Sequence, residues 1–355
     1  GNGVVVHLPG LQEEAEALDR QGLKDVTDRV LISDRAHLLF DYHQIVDGLR
    51  EVERGGGKIG TTKKGIGPCY SSKANRTGLR FGDLRNFRDF PETFKRSLAS
   101  KQKRFYEFDY QLKDEIARYY NYAKTMDPNI TETVGVMDQL LSSEDRSVLI
   151  EGANAALLDI DFGTYPYVTS SNCTVGGICT GLGIPPGRLR NVFGVVKAYT
   201  TRVGEGPFPT ELHDDNGVLL QEKGAEFGST TGRPRRCGWL DLFIVKYTHS
   251  LNGYDGICLT KLDVLSHFEE LRVGVAYKHR GKTLPSYPGS LAVLSEVEVE
   301  FASLRGWKGH DLAGARAFED LPENAQNYVR FVEDTVGVPV KFIGVGAGRD
   351  AIICR

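Results

Sequence analysis

The chain has 355 residues, 40% of them hydrophobic and 26% charged, proportions of an ordinary globular protein with one large α/β core or roughly two domains. Its 44 Lys and Arg against 47 Asp and Glu leave a formal charge of −3, which excludes a histone-like polyanion coat while permitting local basic clusters. No apolar run approaches the ~20 residues of a membrane span and no signal-peptide pattern opens the chain, so a soluble protein engaging neither membrane nor nucleic acid is expected.

The chain opens without Met on Gly1-Asn2-Gly3-Val4-Val5-Val6, a turn entering a buried strand, and a strand that early leads us to expect a preceding segment. Short β-branched runs at 4–8, 30–33, 148–151, 192–200, 256–261, 273–277 and 340–345 predict strands. Several are continuously apolar, as parallel strands covered on both faces are. Amphipathic segments lie between them. In 43–53, Ile45, Val46, Leu49 and Val52 line one face. In 322–336, Pro322 takes the first helical position, Ala325, Val329, Val332 and Val336 form a stripe, and Gly337 suits the C-terminal cap. An α/β core with a mostly parallel sheet follows.

Two stretches depart from that pattern. From Phe81 to about Tyr122 the chain is rich in aromatics, Lys and Arg, which predicts an inserted helical lobe with a solvated surface; aromatics interleaved with basic charge need a matching groove before they signal nucleic acid. Residues 205–236 are turn-rich and strand-poor, and long loops inside α/β domains are usually functional or disordered. The six cysteines, Cys69, Cys173, Cys179, Cys237, Cys258 and Cys354, form no C-x-x-C pair. Neither a disulfide scaffold nor structural zinc is indicated, and free thiols fit a reducing, cytoplasmic compartment.

Four segments can carry chemistry. Lys58-Ile59-Gly60-Thr61-Thr62-Lys63-Lys64-Gly65-Ile66-Gly67-Pro68 joins glycines, hydroxyls and cations able to hold a phosphate; it is not a Walker A loop, and a flexible surface loop fits equally. Gly228-Ser229-Thr230-Thr231-Gly232-Arg233-Pro234-Arg235-Arg236 sets three forked donors beside hydroxyls, an anion site rather than a solvated turn. Thr260-Lys261-Leu262-Asp263 ends a buried strand with a carboxylate. There it either takes the N1–H and N2 amine donors of guanine, leaving itself unpaired against adenine, or caps the next helix. The polar run from Glu151 through Asn154 to Asn172 follows a predicted strand, where open α/β sheets bind ligands. Within it, Asp159 and Asp161 read as turn residues rather than a metal pair.

Together and in this order, the stretches 59–68, 73–80, 151–169, 197–211, 227–241 and 260–263 resemble the adenylosuccinate synthetase family. The resemblance runs over essentially the whole chain. It implies a single P-loop-NTPase-like α/β domain over 1–355, its central, mostly parallel sheet flanked by helices, with a helical lobe at about 81–145. The implied activity joins IMP and L-aspartate into adenylosuccinate with GTP and Mg²⁺, through a 6-phosphoryl-IMP intermediate, in AMP biosynthesis.

Carried over by residue, the resemblance implies that Thr62, Asn154 and Thr169 hold IMP and that Arg76 reaches the IMP of the other subunit of a homodimer. Ser229, Thr230, Thr231, Gly232, Arg233, Pro234 and Arg235, with Val203, would serve aspartate, Arg233 also touching IMP. Arg235, Lys261, Leu262, Asp263, Gly344, Val345 and Gly346 would serve GTP. The family's Gly-Asp-Glu-Gly-Lys-Gly-Lys loop and Gly-His-Thr segment, which supply its catalytic Asp and His, do not occur in this sequence. No catalytic or metal-ligating residue is therefore assigned within it. Mg²⁺ is expected through that upstream segment and GTP, the C-terminus is expected to be the family's own, and a catalytically silent paralogue is the alternative.

Overall fold

The structure, a computed structural model, describes residues 1–55, 60–105, 108–228 and 232–355. Its contacts divide the chain into two units, Gly1–Ala155 with Thr169–Leu189, and Ala156–Val168 with Arg190–Arg355.

In the first unit, β1 (Val5–Val6) and α1 (Leu8–Arg20) share the run predicted as one strand. The strand stops early because His7 Nδ1 accepts from the Gly10 amide at 3.2 Å and Pro9 occupies the first helical turn. β2 (Ile32–Ser33) and β3 (His37–Leu38) precede α2 (Asp41–Glu53) and α3 (Ile66–Ala74). α4 (Phe90–Arg104), α5 (Leu112–Thr125), β4 (Ile130–Thr131), α6 (Thr133–Ser142) and α7 (Val175–Leu182) complete the unit. β1 pairs parallel with β3, and β2 with β4.

The aromatic stretch is helical and keeps a solvated outer face, but its aromatics form a buried inner one. Phe90, Phe94 and Leu98 recur every four residues along α4 and are buried with Phe40, Phe81 and Tyr119. Phe40 meets Phe94 edge-on at 4.6 Å between ring centres, a geometry worth about 0.5–1.5 kcal/mol beyond area burial. Lys95, Arg96, Lys103 and Arg104 take the outer face. The strand predicted at 148–151 does not form. Leu149 is 91% exposed, and an apolar run makes a strand only where a face is buried and a neighbour takes its backbone groups.

In the second unit, β5 (Phe193–Lys197) and β6 (Thr200–Arg202) divide the run predicted as one strand. α8 (Asp215–Lys223) interrupts the stretch read as irregular. The acidic, Gly-containing segment there looks like a turn, yet Asp214 accepts from the Asn216 and Gly217 amides and starts a helix. β7 (Arg236–Gly238), β8 (Leu240–Asp241), α9 (Leu242–Asn252), β9 (Gly256–Thr260) and β10 (Glu270–His279) follow. After β11 (Lys282–Thr283), α10 (Leu291–Ser295) and β12 (Glu298–Arg305) come α11 (Glu323–Val336), β13 (Val340–Gly344) and β14 (Ile352–Cys354).

The core sheet runs β14-β13-β9-β5. β5, β9 and β13 are parallel, as their apolar runs predict, and β14 closes one edge antiparallel. The predicted strand at 273–277 belongs instead to β10, which pairs antiparallel with β12 and parallel with β8. α11 buries Ala325, Val329, Val332 and Val336, with Gly337 at φ +78 as its C-cap; Pro322 is the N-cap, one position before the predicted place. Among the described residues, no helix is long and apolar enough to cross a membrane.

Candidate active site

In the first unit, α2 presents Asp47 and Glu51 one turn apart, both buried. Asp47 Oδ2 accepts from the Thr61 hydroxyl and the Gly65 amide, each at 3.0 Å, and Glu51 Oε1 accepts from the Gly60 amide at 2.8 Å. Gly65 has φ +77, and a Cβ there would lie 2.7 Å from the Gln44 nitrogen, so only glycine lets the loop return this close to α2. The glycine-rich segment is therefore pinned through its backbone, and Thr62, Lys63 and Lys64 are left exposed. Lys58 and Ile59 lie outside the described residues.

α2 and α3 are tied by a directional chain. The Phe40 amide donates to His43 Nδ1 at 3.0 Å, which leaves the ring proton on Nε2 to face Ser72 Oγ at 3.2 Å, and the Ser72 hydroxyl donates to Pro68 O at 3.0 Å. Burial holds His43 neutral, well below its ordinary pKa. Arg76, exposed at φ +60, follows α3. Asn154 is exposed and Thr169 half-buried in the same unit. Because 148–151 is not a strand, Asn154 does not sit at a strand's carboxyl end, contrary to expectation. Asp159, in the second unit, accepts from the Asp161 and Phe162 amides at 2.9 and 3.0 Å, making the predicted turn.

The second unit places Lys261–Asp263 and Gly344–Gly346 at the carboxyl ends of β9 and β13, two parallel strands of the core sheet, where open α/β sheets take ligands. β9 ends at Thr260. Lys261 then turns through φ +61, and Leu262 is buried. Asp263 Oδ1 is buried and has no hydrogen-bond partner among the described residues. Burial lifts the Asp263 carboxyl above its ordinary range, against the amides of Asp263 and Val264 and the Lys261 charge. The Gly344-Val345-Gly346 turn lies alongside: a Cβ on Gly344 would sit 3.3 Å from Thr260 Cα and 3.5 Å from the Lys261 nitrogen. Lys261 and the 344–346 turn thus come together.

Phe227 and Pro234 bridge the base of the arginine loop. Inside it, the Gly228 amide donates to Arg233 O at 2.8 Å and the Gly232 amide to Gly228 O at 2.7 Å, with Gly232 at φ +63. Ser229, Thr230 and Thr231 lie outside the described residues. Arg236, the third arginine of the motif, is engaged by groups of the chain itself. It pairs with both Glu211 oxygens, Nε at 2.7 Å, and donates to the Gly204 and Gly206 carbonyls at 3.2 and 2.8 Å. That grip holds the turn after β6 on which Val203 stands 55% exposed.

Sequence reasoning missed Glu226. This fully buried carboxylate collects three cations: Lys197 and Arg235 on Oε2, each at 2.8 Å, and Lys261 on Oε1 at 2.7 Å. Tyr199 donates to Oε1 at 2.6 Å. Burial alone would raise its pKa, but the four donors overcome it and hold the carboxyl down at about 2. No motif announces such a residue, because its partners lie up to 35 positions away. Among the described residues, no group of three or more His, Cys, Asp or Glu could hold a metal ion.

A family model described as adenylosuccinate synthetase matches residues 1–353. The chain is 52% identical over 356 residues to an adenylosuccinate synthetase of Trichoplax adhaerens, covering 100% of this chain and 80% of that protein. It is similar to the structure of a fully ligated adenylosuccinate synthetase from Plasmodium falciparum, with a TM-score of 0.96 at 44% identity, covering 100% of this chain and 84% of that one. It also shares its fold with the succinoaminodeoxyadenylate synthetase of cyanophage S-2L, with a TM-score of 0.57 at 19% identity over 100% of this chain and 75% of that one.

Proposed function

The chain belongs to the adenylosuccinate synthetase family, the GTP-dependent ligases that join IMP and L-aspartate in AMP biosynthesis, and we propose how its own residues serve that reaction. The purine 6-oxygen attacks the γ-phosphorus of GTP and releases GDP. The aspartate amine then attacks C6, and phosphate departs with the 6-oxygen. In the first unit Thr62, Asn154 and Thr169 orient IMP, and Arg76 serves the IMP of a second subunit in a homodimer. In the second unit Ser229–Thr231, Gly232, Arg233, Pro234 and Arg235 bind aspartate beside Val203, with Arg233 also meeting IMP. Arg235, Lys261, Leu262, Asp263 and 344–346 bind GTP. Forked guanidinium donors suit both the aspartate carboxylates and the charge that builds up on a transferring phosphoryl group.

Mg²⁺, which the family uses, supplies charge neutralisation at the GTP phosphates when bound. The described residues include no group of three or more His, Cys, Asp or Glu that could hold it. The free thiols suit a cytoplasmic setting.

The observation that carries the nucleotide assignment is the orphan Asp263 Oδ1 at the end of β9. A buried acceptor left unpaired costs about 1–3 kcal/mol, and guanine offers two donors on one edge to relieve it. Adenine leaves it unpaired. The test is phosphate release with GTP, Mg²⁺, IMP and aspartate, omitting each in turn, and then with Asp263→Asn. Release should need all four components. The variant should lose kcat/KM for GTP by about 10- to 100-fold and improve with xanthosine triphosphate, whose 2-oxo group accepts where guanine donates. Release without IMP, or an Asp263→Asn protein that binds and turns over GTP unchanged, would overturn this reading; GTP binding without release, persisting when the family's phosphate-loop segment is joined to the chain, would favour the silent paralogue.

A further inference from the structure

Three cations on one carboxylate leave these four groups with a surplus of two positive charges. Here each oxygen is shared between one group at the end of β5 or just beyond it and one group assigned to GTP: Oε1 takes Tyr199 and Lys261, and Oε2 takes Lys197 and Arg235. The backbone repeats the connection. The Arg235 amide donates to Glu226 O at 2.8 Å, Gln221 Nε2 donates to Arg235 O at 2.7 Å, and Lys261 Nζ also reaches Gly224 O at 2.5 Å. Both GTP-assigned cations are only about one-third exposed, so their remaining donors face a restricted region.

We propose that Glu226 is a positioning residue for the ligase reaction: it fixes Lys261 and Arg235 in one geometry, so that the nucleotide meets preset cations rather than mobile side chains. This rests on the assignment of Lys261 and Arg235 to GTP. Glu226 itself touches no substrate. The physical gain is preorganisation, because Lys and Arg give up their rotamer freedom on folding rather than on binding. The carboxyl stays ionised at any working pH, since its four donors hold it at about 2.

A purely structural carboxylate would also lower stability when removed, so the test must separate position from charge balance. Glu226→Gln keeps the shape and removes the charge. Lys197→Met combined with Glu226→Gln removes one cation as well, restores the charge count of the cluster and guards against failure to fold. Both variants should raise KM for GTP about tenfold or more, the loss of one charged hydrogen bond, and leave KM for IMP within about twofold. Lys261→Ala and Arg235→Ala provide the reference, and adding Glu226→Gln to Lys261→Ala should cost less than the two changes separately.

If the doubly substituted enzyme regains the wild-type KM for GTP, Glu226 acts through charge balance alone and the proposal is overturned. It is likewise overturned if Glu226→Gln lowers that KM, or leaves it unchanged while Lys261→Ala raises it. If neither Lys261→Ala nor Arg235→Ala moves it, the GTP assignment itself falls, and the proposal falls with it.

Discussion

Two carboxylate devices hold the two candidate site segments, and they differ in what they are given. In the first unit, Asp47 receives a backbone amide and a hydroxyl from the 60–65 loop, and Glu51 receives the Gly60 amide on Oε1 while its Oε2 meets the half-exposed Arg54 guanidinium at 3.6 Å, outside hydrogen-bond distance. In the second, Glu226 receives three cations and a phenol. The first arrangement fixes a backbone and leaves the side chains of Thr62, Lys63 and Lys64 exposed. The second fixes the side chains proposed for GTP themselves. Neutral donors set shape, while cations set shape and field together. A carboxylate fed by cations should thus be far more costly to remove than one fed by amides.

Glu226→Leu puts the largest number on that difference. It strands three cations around an apolar side chain, and removing one partner of a buried ion cluster costs about 3–5 kcal/mol. The protein supplies its own reporter, since its two tryptophans, Trp239 and Trp307, are both buried in the second unit. A urea melt followed by tryptophan fluorescence should show the midpoint falling steeply. A loss below about 1 kcal/mol, the ordinary worth of a neutral hydrogen bond, would erase the distinction.

Asp241 is the control inside the same unit, a buried carboxylate fed only by neutral donors. It caps α9 through the Ile244 amide and takes the Tyr277 hydroxyl at 2.5 Å. Burial outweighs those bonds and lifts its pKa to about 6. Between the unfolded value near 4 and that folded value, the native state keeps a proton that the unfolded chain gives up. Stability from Asp241 is therefore fully present below about pH 4 and is lost as pH rises through 6, a swing of about 2–3 kcal/mol. Glu226 has the opposite sign: its contribution is present above the unfolded pKa and is lost as pH falls toward 2. Asp241→Asn keeps the cap and removes the titration. Its tryptophan-monitored melts should lose the decline between pH 4 and 7 expected of the wild type, and an unchanged slope would refute the assignment.

How far the sequence disclosed these devices depends on distance along the chain. α11 was legible because stripe and C-terminal glycine agree within 16 residues. The placing of Lys261 to Asp263 at a strand end was legible because a polar cluster follows a buried apolar run directly. The carboxylates that hold the site were not, since Glu226 and Asp47 meet their partners only after folding, and a lone acidic residue carries no pattern. The aromatic lobe misled for a related reason. Lys and Arg between the aromatics suggested a wet surface, while the four-residue spacing of Phe90, Phe94 and Leu98 marked a face that packs inward. The internal partners of the arginine motif were not legible: Arg235 joins the Glu226 cluster, and Arg236 pairs with Glu211 and serves the Val203 turn.

Asp47→Asn is the smallest change and the sharpest probe of the neutral device. Its carboxylate oxygen Oδ2 takes both Thr61 Oγ1 and the Gly65 amide. An asparagine presenting its oxygen keeps those two bonds but weakens them to neutral strength, whereas one presenting its amide puts a donor against the Gly65 N–H. The loop would then loosen where it carries Thr62, with Glu51 still holding Gly60. The expected cost is about 1–2 kcal/mol, read as a rise of roughly tenfold in KM for IMP with KM for GTP unchanged. This inverts the pattern expected of Glu226→Gln, in which the GTP term moves and the IMP term does not. Should Asp47→Asn raise both KM values equally, the two carboxylates would not serve separate substrates, and the contrast between a backbone clamp and a side-chain clamp would reduce to stability alone.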